Sequence, residues 1–164
     1  MTNYTVNTLE LGEFITESGE TIDHLRLRYE HVGLPGQPLV VVCHALTGNH
    51  LTYGTDAQPG WWREIIDGGY IPVHDYQFLT FNVIGSPFGS SSKLNDDNSP
   101  EHLTLRDIVR AIELGIQALE FKKINILIGG SLGGMQAMEL LYNRQFEVEK
   151  AIILALSLIH ISEP

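Results

Sequence analysis

The chain has 164 residues, 43% of them hydrophobic and 18% charged, a balance that suits one core-forming domain and excludes disordered or fibrous classes. A formal charge of −10, from twenty acidic and ten basic residues without a Lys/Arg cluster, argues against partners that need cations: nucleic acids and acidic membrane surfaces. The lone cysteine, Cys43, cannot form an intrachain disulfide, and neither a basic–apolar leader nor an apolar run of membrane-spanning length is evident, so the expected compartment is the cytoplasm.

In chain order, residues 9–16 and 21–31 read as two β-segments joined by a turn at 17–20. In the second, Leu25, Leu27 and Tyr29 alternate with Arg26 and Arg28, the period of a half-buried strand. A Pro/Gly break at 34–38 precedes Leu39-Val40-Val41-Val42-Cys43, a continuous apolar run suited to the middle of a sheet covered on both faces. Residues 61–67 predict a short helix closed by Gly68-Gly69, residues 78–84 a strand, and 85–100 a polar loop. Thr104 opens a helix: Asp107 completes a capping box, and Leu105, Ile108, Val109, Ile112, Ile116 and Leu119 form its apolar stripe. A strand at 124–128, a helix at 133–143 and a strand at 148–155 follow. This alternation predicts an α/β class, a mainly parallel sheet with helices on both faces and functional residues at the carboxyl ends of its strands.

One such end carries Gly129-Gly130-Ser131-Leu132-Gly133-Gly134, which satisfies G-x-S-x-G between a strand and a helix. A serine at the apex of so tight a turn is held in strained geometry with its hydroxyl exposed. Side chains two positions to either side would strike the neighbouring strand and helix, hence glycine. Ser131 is therefore the candidate nucleophile. The competing reading is a glycine-rich packing turn; a phosphate cradle fits less well, because neither G-x-G-x-x-G nor a P-loop lysine is present. A serine nucleophile needs two amide donors for its oxyanion. Leu132 supplies one candidate, and Leu46, in the loop after the apolar strand, the other.

That loop, His44-Ala45-Leu46-Thr47-Gly48, resembles the oxyanion segment of the homoserine O-acetyltransferase family. Pro59-Gly60-Trp61-Trp62, Asn82-Val83-Ile84-Gly85, the stretch from Leu105 to Ala111, and the elbow through Met135-Gln136-Ala137 resemble the family in order and spacing. The loop from Gly85 to Ser92 departs from the family's usual one, which bears on substrate preference. The resemblance implies an α/β-hydrolase fold and a two-step transfer. Ser131 would take an acetyl group from acetyl-CoA, a substrate and not a cofactor, and the hydroxyl of L-homoserine would remove it, in methionine biosynthesis. It also implies a homodimer for the full-length parent. A succinyl donor, serine as acceptor, or a serine esterase on the same scaffold are the alternatives.

Chain order in this fold runs serine, acid, histidine. After Ser131 there is no aspartate, the acids are Glu139, Glu147, Glu149 and Glu163, and the sole histidine is His160. The expectation is a C-terminally truncated, inactive fragment: 1–155 as the N-terminal part of the domain, and 156–164, which read like translated sequencing adapter, as a non-native tail. Its last strand is expected to be an exposed apolar edge.

The remaining candidates have plain readings. Cys43 ends a buried strand and reads as a core thiol. His44 either shapes the oxyanion loop or simply packs. His24, His31, His74 and His102 lack metal-ligand spacing. Trp61-Trp62 line a pocket or, the favoured reading, anchor the short helix. Asp96-Asp97 with Glu101 read as a solvated loop in preference to a cation site, and Arg106 and Arg110 should pair with nearby acids.

Overall fold

The computed structural model describes residues 3–93 and 102–154. Among these residues eight strands and three helices follow one another: β1 (Tyr4–Glu10), β2 (Phe14–Ile15), β3 (Thr21–Ile22), β4 (Arg26–Val32), β5 (Leu39–Cys43), α1 (Arg63–Asp67), β6 (Gln77–Phe81), α2 (Leu105–Ala118), β7 (Lys123–Gly130), α3 (Leu132–Asn143) and β8 (Glu147–Leu154). Six strands form one sheet in the order β1-β4-β6-β5-β7-β8. β5 pairs in parallel with β6 and β7, and β7 with β8, while β1 and β4 run antiparallel.

β5 is buried along its whole length, as its unbroken apolar run predicts. Leu39, Val41 and Cys43 face one core with Val109, Ile112 and Ile116 of α2 and Ala137 and Leu140 of α3. Val40 and Val42 face the other with Ile66 of α1. Two-sided burial of one strand is the two-layered helix cover expected of this class. Each such Val or Leu side chain contributes about 2 kcal/mol of hydrophobic stabilisation.

The capping box at Thr104 forms as the sequence indicates. Thr104 Oγ1 accepts from the Asp107 N–H at 3.2 Å, and the Asp107 carboxylate accepts from the Thr104 N–H at 3.0 Å. The same carboxylate accepts from the Glu17 amide at 2.9 Å, tying the hairpin tip to α2. Arg106 pairs with Glu17 and Glu139, while Arg110 lies beside Asp107 and over the Phe14 ring.

Several boundaries differ from the sequence reading. The first hairpin starts earlier, at Tyr4, and breaks into two ladders, because Gly12 takes a left-handed φ of 74° and turns the tip. The turn directs Phe14 and Ile22 into the core below α2. β6 stops at Phe81, where the chain leaves the sheet and the Val83 amide donates to the ring of His44 instead. β8 starts one residue early, at Glu147, with Ile152 and Leu154 40% and 49% exposed along the sheet margin; its expected last residue, Ala155, lies outside the described residues. Asp96, Asp97, Glu101 and His160 also lie outside them. No helix among the described residues is long and apolar enough to cross a membrane.

Candidate active site

β5, β6 and β7 run parallel, so the loops after them emerge at one end of the sheet, and there the candidate residues gather. Between β7 and α3, Ser131 takes φ 53° and ψ −122°, a conformation a non-glycine residue adopts only under constraint. The constraint is visible. Ser131 N–H donates to Leu154 O at 3.0 Å, and Ser131 O accepts from the amides of Gly134 and Met135 at 2.9 and 3.2 Å. A β-carbon on Gly129 would overlap the Gly133 carbonyl, and one on Gly133 would overlap the Cys43 carbonyl. The turn is thus pressed between β5 and α3, and Ser131 is left exposed at its apex.

Leu132 is the first residue of α3, so its amide lies beyond reach of the helix's own carbonyl acceptors and at the positive end of the helix dipole. Leu46 lies in the loop after β5, its side chain 78% exposed. Among the described residues neither amide is spent on a hydrogen bond. Both residues line one apolar cleft of about 290 Å³, together with Val83, Ile84, Phe88, Leu103 and Ile108. Larger hollows exist, about 690 Å³ around Trp61–Asp67 and about 510 Å³ between α2 and α3, but neither touches the elbow.

Behind the cleft lies a buried polar frame. His44 is 1% exposed; its Nε2 accepts from the Val83 N–H at 3.1 Å and its Nδ1 lies 2.7 Å from Ala45 O. Burial holds this imidazole below its ordinary pKa, so it is neutral and both nitrogens are engaged, which leaves it unsuited to act as the base. Gln136 on α3 donates to His44 O at 3.2 Å, clamping the loop to the elbow helix. Ser90 Oγ accepts from the Arg28 amide and Ser91 Oγ from the Arg26 amide, so part of the expected polar loop is built into the side of β4. His50, which the sequence reading did not single out, is also buried; burial, Arg28 and His44 push its pKa down to about 4.

Other candidates take their plain readings. Cys43 is buried, and burial pushes its thiol up to about 12, so it is no nucleophile. Trp62 packs on the α1-side core, whereas Trp61 lies tilted against it, ring centroids 4.9 Å apart, and lines a small cleft beside Ala45, Thr47 and Asn49. His31 bonds Gln77 at 2.8 Å. Among the described residues no His/Cys/Asp/Glu group could hold a metal ion. Of the acids that follow Ser131 there, Glu139 pairs with Arg106, and Glu147 and Glu149 pair with Lys123.

A family profile described as the alpha/beta hydrolase fold matches residues 38–163. The chain belongs to the alpha/beta-hydrolase family. Within it, the resemblance to homoserine O-acetyltransferases holds. The chain is 36% identical to a protein of that name from Geotalea uraniireducens, over 87% of this chain and 43% of that protein. It is 31% identical to one from Sulfurimonas autotrophica, over 90% of this chain and 44% of that protein. A crystal structure of homoserine O-acetyltransferase from Staphylococcus aureus superposes with a TM-score of 0.92 at 85% identity, covering 93% of this chain and 47% of that one. Esterase E22, at 22% identity and a TM-score of 0.76, shares the alpha/beta-hydrolase fold. The chain spans about half the length of these relatives.

Proposed function

We propose that the protein to which this chain belongs is a homoserine O-acetyltransferase working through an acyl-serine. The observation that carries the reading is a strained, exposed Ser131 followed directly by Leu132, which lines one cleft with Leu46, the amides of both leucines being unspent among the described residues. Ser131 Oγ attacks the thioester carbonyl of acetyl-CoA, and the oxyanion of the tetrahedral intermediate takes hydrogen bonds from the two amides. CoA leaves as its thiol, and the hydroxyl of L-homoserine then attacks the acyl-serine through a second such intermediate. Splitting the transfer in this way replaces one difficult step with two easier ones, and each amide donor is worth about 3 kcal/mol in the transition state. The triad's acid and histidine are assigned to the part of the relatives' length that this chain does not span.

Several observations favour transfer of a short uncharged acyl group. The cleft lining is apolar, so a succinyl carboxylate would be desolvated there without a partner. The relatives named homoserine O-acetyltransferase cover most of this chain. CoA is consumed as a substrate, no resident cofactor is invoked, and the assignment places the protein in the cytoplasm, as a homodimer, in methionine biosynthesis.

The test is made on the full-length protein. A fluorophosphonate probe is expected to modify Ser131, and CoA release from acetyl-CoA to continue beyond the first acylation only when homoserine is added. Release driven by succinyl-CoA or by serine would reassign the donor or the acceptor. Rapid hydrolysis of p-nitrophenyl acetate without homoserine-dependent CoA release would make it an esterase.

A further inference from the structure

The Ala45–Leu46 peptide unit carries two groups of opposite duty. Its amide is the assigned oxyanion donor, and its carbonyl accepts from the Gly48 amide at 2.9 Å and lies 2.7 Å from His44 Nδ1. The carbonyl and amide of a planar trans peptide point in opposite directions, so whatever fixes one aims the other. The proton on His44 can be placed by elimination. A main-chain N–H can only donate, so the Val83 amide 3.1 Å from Nε2 makes that nitrogen an acceptor without a proton. The ring proton is therefore on Nδ1, where it donates to Ala45 O.

His44 is fixed in turn by its surroundings. It is fully buried, its carbonyl accepts from Gln136 Nε2, and a β-carbon on Gly48 would lie 2.9 Å from its own Cβ. The imidazole thus joins the end of β5 to the segment after β6, and the same residue's carbonyl ties in the helix that follows the elbow. We infer that His44 is a positioning residue: its Nδ1–H anchors the Ala45 carbonyl and so aims the Leu46 amide into the cleft beside Leu132. The inference rests on the reading of Leu46 as an oxyanion donor. It departs from simple packing, in which any side chain of similar volume would serve.

Three variants of the full-length protein separate these roles. In His44→Asn the side-chain amide nitrogen falls near the place of Nδ1 and keeps a donor for Ala45 O. His44→Gln reaches the place of Nε2 and keeps only an acceptor for Val83, and His44→Ala keeps neither. The expected result is a fall in kcat of about 100-fold for Ala and Gln, as for loss of one oxyanion donor. KM should stay within a few-fold, and Asn should recover at least about tenfold of the loss. Equal activity of Asn and Gln, a loss confined to KM, or rates that follow the melting temperatures across the three variants would overturn it. The fluorophosphonate adduct in the unaltered protein tells the two readings apart. No adduct on Ser131 removes the site assignment and this inference together; an adduct that forms equally fast in every variant removes the role of His44 alone.

Discussion

A β-carbon on Gly133 would overlap the carbonyl oxygen of Cys43, so the second glycine of the elbow is where β5 and α3 come closest. Backbone lies on both sides and cannot rotate away. Gly133→Ala is expected to destabilise the protein by about 3 kcal/mol, at the upper end of ordinary overpacking. Gly130→Ala serves as the contrast, since a β-carbon there would meet Leu154 O at an ordinary 3.7 Å. Urea denaturation of the two variants checks this; equal midpoints would show that the elbow can relax.

Ser131 gives a prediction of the opposite sign. Its φ of 53° is a cost that glycine would not bear. Ser131→Gly should abolish labelling by the fluorophosphonate while raising stability by about 1 kcal/mol. A variant that melts below the parent would mean that the turn is not strained.

Asp107 is fully buried and accepts from the amides of Thr104 and Glu17. Asp107→Ala leaves both donors without this acceptor and removes the reciprocal half of the capping box of α2, for a loss of about 2–3 kcal/mol. Asp107→Asn, which keeps one acceptor oxygen, should recover part of it. A thermal melt within a degree of the parent for the alanine variant would sink the expectation.

The pH dependence of stability should carry the mark of His50. Burial, then Arg28 and His44, hold its pKa near 4, below the ordinary 6.5. As the pH falls through 6.5 the unfolded chain takes up the proton first, so stability present above 6.5 drains away down to about 4 and then levels off. The whole effect is on the order of 3 kcal/mol. Denaturation midpoints at pH 7.5 and 4.5 should differ less in His50→Gln than in the parent; identical differences would exclude His50 as the titrating group.

Much of the frame was legible because its signals are local. β5 shows as five apolar residues in a row, α2 as a cap followed by a stripe, and the elbow as two glycines flanking a serine two positions away on each side. What escaped depends on distant partners. The Glu30 carboxylate is buried where it accepts from the amides of Tyr53 and Gly54, a role invisible from the strand that carries it. Ser90 and Ser91 read as part of a polar loop until β4 supplies its amides. The bend at Gly12 was missed because an alternating pattern does not reveal where a hairpin turns aside. The role of His44 stayed open for the same reason: Val83 and Gln136 come from other elements.

The parallel run of β5, β6, β7 and β8 also sorts the connections into two rims. Every segment that touches the elbow departs from one rim, while the links entering β5, β7 and β8 cross the other, on the far side of the sheet. Those far-side crossings are where a reporter peptide or a grafted module can be spliced in without retuning the chemistry.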